Sequence, residues 1–211
     1  MTLACRNHWS KTVCSTTLAL YALQAFRYLP GEVDLVRQDL IRNITTLFPN
    51  SDIWLVGHSL GGALASLLGT TYGLPAVAFE SPGERLASIR LDIPLPPEIA
   101  TTGNYSLAPV THVYHTADPI PQGACTGRAS PCSQAGYALE TRCHLGTSIV
   151  YDTVGRLNWS VDIRTHPIKE VINRILEKEI WWEFGRHVPR ARTEDDCVVS
   201  SNVRMIGWGE C

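Results

Sequence analysis

No stretch of this 211-residue sequence reaches the 18 or so consecutive apolar residues that a membrane-spanning helix needs. The nearest, residues 18–26 (LALYALQAF), is broken by Gln24 and reads as an ordinary helix. A long lead before it and the lack of an A-x-A site argue against a signal peptide. Charge of one sign is also lacking. Eighteen Lys and Arg stand against 20 Asp and Glu, a net charge of −2, so there is no electrostatic footprint for nucleic acid. None of the seven cysteines forms a C-x-x-C pair, and Cys125, Cys132 and Cys143-His144 fit no common zinc spacing. With no nucleotide or flavin signature either, neither a metal nor a cofactor is expected. Internal repeats and low-complexity tracts are missing too.

What is present is a core. Hydrophobic residues make up 45% of the chain, enough for a globular domain, with a single domain as the default. Cys125 and Cys132 bracket a Gly/Ser/Pro-containing segment that a disulfide would close, although small buried thiols are the simpler reading. Three N-x-[ST] sequons begin at Asn43, Asn104 and Asn158, the second in a loop-like Thr-Thr-Gly-Asn-Tyr-Ser stretch suited to a glycan. Together the cysteines and sequons lean towards a secretory-pathway lumen.

Along the chain, Val33, Val36, Leu40, Ile44 and Leu47 fall at steps of three and four and predict one apolar helical stripe. Pro49-Asn50-Ser51 stops it, and Ile53-Trp54-Leu55-Val56 follows as a strand expected to be covered on both faces. Residues 63–72 are rich in Ala, Leu and other small residues, as in a helix lying close on a sheet, and Gly73 ends it. Residues 75–79 and 110–115 read as further strands, 92–109 as a loop, and 167–182 as a terminal helix with Ile168, Val171, Ile172, Ile175 and Leu176 at helical spacing. The tail after Gly185 is charged, turn-rich and expected to be partly disordered. This order predicts an α/β fold with a mostly parallel sheet. Trp181-Trp182 suits an interfacial anchor, though packing is the commoner fate of such residues.

The chemistry centres on Gly57-His58-Ser59-Leu60-Gly61, a Gly-x-Ser-x-Gly pattern between an apolar strand and a helix. That context predicts a nucleophile elbow, a strained turn that lifts the Ser59 hydroxyl clear of the sheet. The next helix would offer its N-terminal amides to developing negative charge, which makes the Leu60 N–H a candidate oxyanion donor. A serine needs a histidine to take its proton, and the histidine needs a carboxylate to fix its tautomer. With chain order Ser, acid, His, the acids on offer are Asp92, Asp118, Asp152 and Asp162. Asp118 is preferred because it lies just past the end of a strand. His112 and His115 precede it, His144 adjoins a cysteine and His187 lies in the tail. His166, on a loop before Pro167, is the preferred base.

Several segments, GHSLGGALASLLG, AFESPGER, HVYHTADPIPQGAC, AGYALETRCHLG and SIVYDTVGRLNWSVDIRTHPI, resemble the fungal autophagy-related vacuolar lipases, a branch of the class 3 triacylglycerol lipases. The resemblance covers residues 33–182. It implies an α/β-hydrolase fold with helices on both faces of the sheet, and hydrolysis of acyl esters in triacylglycerol or phospholipid. It also implies Ser59, Asp118 and His166 as the triad, and a glycosylated protein of multivesicular-body membranes and the vacuole lumen. Membrane lipid is the expected partner. Members are membrane-anchored, whereas no anchor, early strand or lid is recognisable in residues 1–32, so an N-terminal truncation is expected. The resulting division is a divergent segment 1–32, a lipase-like core 33–182 and a charged tail 183–211. A soluble carboxylesterase, or a non-catalytic remnant with an incomplete oxyanion hole, is the alternative.

Overall fold

Alternation of buried and exposed side chains along β3 (Asp52–His58) marks a strand with one face against a core. Ile53 and Leu55 are buried, while Trp54 between them is 48% exposed. The expectation of a strand covered on both faces is therefore corrected for this stretch. The computed structural model describes residues 2–7, 10–15, 39, 41–90, 95–123 and 143–194. Residues 18–26, the Val33, Val36 and Leu40 positions, Asp92, Cys125 and Cys132 lie outside them.

One seven-stranded sheet organises the described residues, in the order β2-β1-β3-β4-β5-β6-β7. Its centre, β3, β4 (Ala76–Phe79), β5 (Val110–His115) and β6 (Thr147–Tyr151), is parallel. The edges are antiparallel: β1 (Thr2–Asn7) pairs with β3 and with β2 (Ser10–Ser15), and β7 (Arg192–Thr193) pairs with β6. Strands thus arise within residues 1–32, where the sequence shows no recognisable strand, and within the tail expected to be partly disordered. The three segments proposed from sequence all contribute to the same sheet.

Register places Leu55, Ala76 and Val110 side by side on one face. That face packs on Ala65, Leu67 and Leu68 of α2 (Leu60–Tyr72), on Ile41 and Ile44 of α1 (residues 41–47), and on Ile99 of α4 (Pro97–Thr102). Ala76 and Ala78 are the small residues that let α2 lie close: a Cβ on Gly69 would come within 2.7 Å of the Ala76 Cβ. Phe79, Val113 and Ile149 align on the opposite face with Tyr151, under Ile175 and Trp182. Layers on both faces of a mostly parallel centre make this an α/β-hydrolase architecture.

Several elements depart from the sequence reading. On α1 the buried residues are Ile41 and Ile44, whereas Leu47, in the last turn before Pro49, is 71% exposed. Within the predicted loop 92–109, α4 and a 3-10 turn (Tyr105–Leu107) form. Pro97 occupies the first turn of α4, where its missing N–H costs nothing, and Gly103 closes it in the left-handed region at φ 65°. The short α3 (Arg85–Arg90) follows β4. The terminal helix is α6 (Ile168–Val171), continuing as one π turn (Ile172–Leu176), and ends six residues before the predicted limit at 182. Only Val171 and Ile175 of its five apolar residues are buried. Trp182 packs edge-on against Tyr151 at 5.1 Å, while Trp181 is 58% exposed.

A buried polar network ties the C-terminal edge to the core. Glu194 accepts from His144 Nδ1 at 2.9 Å, Ser148 Oγ at 2.6 Å and Tyr114 Oη at 3.0 Å. The Arg85 guanidinium donates to the His144 carbonyl at 2.8 Å, and Glu84, bonded to Ser66, lies 2.9 Å from His112 Nε2. Burial works against charge at Glu194, yet the His144 and Ser148 hydrogen bonds hold its carboxyl far below the usual range. His144 is likewise desolvated, but Glu194 raises it above an ordinary histidine. This network explains why β7 is ordered.

Candidate active site

The elbow turns on a glycine, Gly57, that has no room for a side chain. An ideal Cβ on Gly57 would stand 2.0 Å from the Gly61 carbonyl oxygen and 2.6 Å from the Gly62 nitrogen, both backbone atoms that cannot swing aside. Ser59 between them has φ 57° and ψ −130°, a strained conformation for a non-glycine residue that costs about 1–3 kcal/mol and persists only where neighbours over-determine it. The neighbours are visible. Ser59 N donates to the Phe79 carbonyl at 2.9 Å, latching the turn to β4, and the Ser59 carbonyl accepts from Gly62 N at 2.9 Å as α2 begins. Leu60 is the first residue of α2, where backbone N–H groups have no intrahelical acceptor.

The loop between α5 (Thr153–Leu157) and α6 brings His166 over this turn. Asp162 caps the 3-10 turn Ile163–Thr165 by accepting from Arg164 N at 2.9 Å, and its own N–H is bonded to the Ala117 carbonyl at 3.0 Å. The histidine loop is thereby pinned to the loop that carries Asp118. Ser59 Oγ donates to His166 Nε2 at 2.8 Å, and His166 Nδ1–H donates to Asp118 Oδ2 at 2.6 Å. Asp118 is fully buried, and its second oxygen accepts from Ile120 N at 2.9 Å; the His166 side chain is 16% exposed, open enough to meet a ligand. Serine, histidine and carboxylate thus form one hydrogen-bonded chain at the carboxyl ends of β3 and β5. Such a chain can transfer the hydroxyl proton to the imidazole and hold the imidazolium that results.

The other sequence candidates have structural partners. Asp152 caps α5 through Gly155 N at 2.8 Å, Asp162 is occupied as described, and His112 and His144 lie in the Glu194 network. His187 Nδ1 bonds the Ile180 carbonyl at 3.2 Å. The three sequon asparagines, Asn43, Asn104 and Asn158, are all exposed. Two sets of side chains, Glu84–His112–His144 and Glu80–His115–Asp118, lie close enough together to share a cation; His144 and Asp118 are engaged by Glu194, Ser81 and His166, whereas the His112 ring and one oxygen each of Glu80 and Glu84 make no hydrogen bond.

Sequence reasoning missed His58. Its Nε2–H donates to the His166 carbonyl at 2.9 Å and its ring lies 4.8 Å from the His166 ring. Burial holds His58 below the ordinary histidine range, so it is a neutral donor near neutral pH. Its place inside the Gly-x-Ser-x-Gly pattern was the available signal.

Comparison with known proteins places the chain in a family. A profile of the family described as Lipase (class 3) matches residues 3–78, a stretch that holds the elbow and begins within the segment set apart as divergent. The chain belongs to the class 3 lipases. It is 47% identical over 190 residues to "Putative lipase ATG15" of Cryptococcus neoformans var. neoformans serotype D (strain B-3501A), covering 82% of this chain and 36% of that protein. Proteins of the same name in Mycosarcoma maydis (51% over 171 residues; 81% and 33%) and Kluyveromyces lactis (52% over 153 residues; 69% and 28%) are also similar. This class 3 lipase chain spans about a third of the length of the curated relatives it matches. Asp118 and His166 lie beyond the profile match, on the part of the fold that follows β5.

Proposed function

We propose that this class 3 lipase chain hydrolyses acyl esters of membrane lipid, phospholipid or triacylglycerol, through a triad of Ser59, His166 and Asp118. The observation that carries the reading is the continuous chain from Ser59 Oγ to His166 at 2.8 Å and from His166 to Asp118 at 2.6 Å. Ser59 Oγ attacks the ester carbonyl carbon as its proton passes to His166 Nε2, and Asp118 stabilises the imidazolium. The oxyanion forms near the Leu60 N–H, at the positive end of α2. His166 then protonates the departing alcohol, leaving an acyl-Ser59. Water, deprotonated by His166 Nε2, attacks that acyl group, and collapse of the second tetrahedral species releases the fatty acid and restores Ser59. The reading needs no metal or cofactor.

The lipid assignment is supported by the relatives, which are named lipases, and by exposed apolar residues Val161 and Ile163 on the loop that leads to His166. No helix among the described residues is long and apolar enough to cross a membrane. Cys143 is disulfide-bonded and the sequon asparagines are exposed, which supports a glycosylated, lumenal protein in the endosome–vacuole route that the resemblance implies. The test compares hydrolysis of phospholipid liposomes and long-chain triacylglycerol emulsions with that of short soluble esters, for the wild type and Ser59→Ala. Preference for the aggregated lipids, lost in Ser59→Ala, is expected. Ser59-dependent turnover of short esters alone would replace the lipase reading with that of a soluble carboxylesterase.

A further inference from the structure

A second carboxyl group lies beside the acid of the triad. Glu80 is the first residue past β4, fully buried, at the same end of the sheet as Ser59 and Asp118. Its backbone is held at φ 45°, a conformation uncommon for a residue with a side chain and concentrated at functional sites. The Glu80 N–H donates to the Val113 carbonyl at 3.0 Å, which locks the turn. One Glu80 oxygen, one Asp118 oxygen and one His115 ring nitrogen lie within 4.8 Å of one another. We propose that Glu80 is a positioning residue of the triad: a neutral carboxyl whose proton is donated to the Asp118 carboxylate, fixing the acid that orients His166. This rests on the hydrolase reading above.

The assignment of the proton follows from the surroundings. From β5, His115 stands 4.0 Å from Glu80 Oε1, but its Nε2–H is directed to the Thr165 carbonyl (3.3 Å) and its Nδ1 accepts from Thr153 Oγ1 (3.1 Å). Burial keeps that ring neutral. From the π turn that follows α6, the Arg174 guanidinium is stacked 4.1 Å over the Trp159 ring, which in turn meets His115 edge-on, so this cation has a partner of its own. From β3, His58 donates to the His166 backbone and is neutral. Two desolvated carboxyls in contact, with no cation between them, cannot both ionise. Asp118 receives two short N–H bonds, from Ile120 and His166, whereas Glu80 receives one from His115 N at 3.4 Å. The anion therefore resides on Asp118 and the proton on Glu80. Desolvation and the neighbouring Asp118 push Glu80 well above the usual carboxylate range, in agreement. Glu80 Oε1 is buried and has no other hydrogen-bond partner, which leaves it free to carry that proton.

A donor on Asp118 spreads the negative charge and moderates the pull of Asp118 on the imidazole proton. His166 then remains able to accept from Ser59 at lower pH than a lone carboxylate would permit. The test compares Glu80→Gln and Glu80→Ala in the full chain. Readouts are thermal unfolding, the pH profile of kcat/KM on a short soluble ester, and the downfield resonance of the His166 Nδ1 proton. Glu80→Gln keeps a neutral donor, so the acid limb of the profile and the resonance should stay as in the wild type. Glu80→Ala should lose roughly tenfold in kcat, the worth of one hydrogen bond to a charged group, with KM unchanged and the acid limb moved to higher pH. A Glu80→Gln profile displaced to lower pH would mean that a negative charge had been removed, and would overturn the proposal. Glu80→Ala with wild-type kcat and wild-type resonance would overturn it too. If Glu80→Ala fails to fold, Glu80→Gln alone decides. The resonance is read without turnover, so an inactive wild type would refute the hydrolase reading while still testing the contact.

Discussion

Replacing Gly57 by alanine adds a single carbon at the most confined point of the elbow. That carbon would meet Gly61 O at 2.0 Å, Gly61 C at 2.3 Å and Gly62 N at 2.6 Å, all backbone. Ordinary contact begins near 3.4 Å, so β3 and the start of α2 must separate by more than 1 Å. Overpacking of this kind costs about 1–3 kcal/mol, and the upper end applies because no flexible side chain can give way. At about 2–4 °C per kcal/mol for a domain of this size, Tm should fall by roughly 6–12 °C. The movement acts directly on Ser59, two residues on, and a 1 Å misplacement of a reacting group costs about a hundredfold in rate. Gly73→Ala is the control. Gly73 closes α2 at φ 64° with nothing within 4 Å, so alanine there strains the backbone by about 1 kcal/mol and leaves the elbow alone. Thermal unfolding and the rate of short-ester hydrolysis, measured on both variants, separate the two effects. Gly57→Ala with wild-type Tm and wild-type rate would refute the steric account of the turn.

Three further outcomes follow from the same geometry. Asp118→Asn should leave the fold intact and lower kcat by about 10⁴, because the amide offers its N–H where the His166 tautomer needs an acceptor; a loss under tenfold in ester hydrolysis would count against Asp118. His58→Ala removes the donor to the His166 carbonyl and should lower kcat by about tenfold, while His58→Gln, which keeps an N–H, should recover much of it; equal losses would contradict the positioning role. Folding holds the Glu194 carboxyl below its ordinary 4.5, so its contribution to stability is present above about pH 4.5 and fades as pH falls further. His144 is raised from 6.5, so its contribution is complete below about pH 6.5 and is lost as pH rises through the folded value. The pair should therefore stabilise most between about pH 4.5 and 6.5, and in Glu194→Gln the Tm within that window should be lower and its fall on either side shallower. An unchanged profile would mean that the network carries no pH dependence.

Much of the site was legible before any coordinates because its chemistry is local in sequence. The elbow needs glycines two residues either side of Ser59, and a parallel strand must be followed by a helix, so Gly57, Ser59 and α2 are readable from one short window. Asp118 was marked by its place just past β5, and His166 by chain order. Less was legible where tertiary contact decides. The edge strands β1, β2 and β7 form only because neighbouring backbones pair with them, and Glu194, just past β7, bonds to residues 46 to 80 positions earlier in the chain. The length of α6 was overestimated because helical spacing continues past Leu176, although Ile172 and Leu176 stay partly exposed and Trp182 turns inward against Tyr151. On α1 the stripe held at Ile44 and failed at Leu47, which is exposed, while Ile41, outside the predicted stripe, is buried. Glu80 and His58 carry no periodic signal: their meaning lies in Asp118 and the His166 carbonyl, far away along the chain.

The central claim is that Ser59 is activated by the imidazole at 2.8 Å. A fluorophosphonate probe tests it on the intact chain, with the modified residue located by mass spectrometry. A single adduct on Ser59 is predicted, absent in Ser59→Ala and formed far more slowly in His166→Ala. Folded wild-type protein that gains no adduct, or one that labels equally fast without His166, would contradict the account.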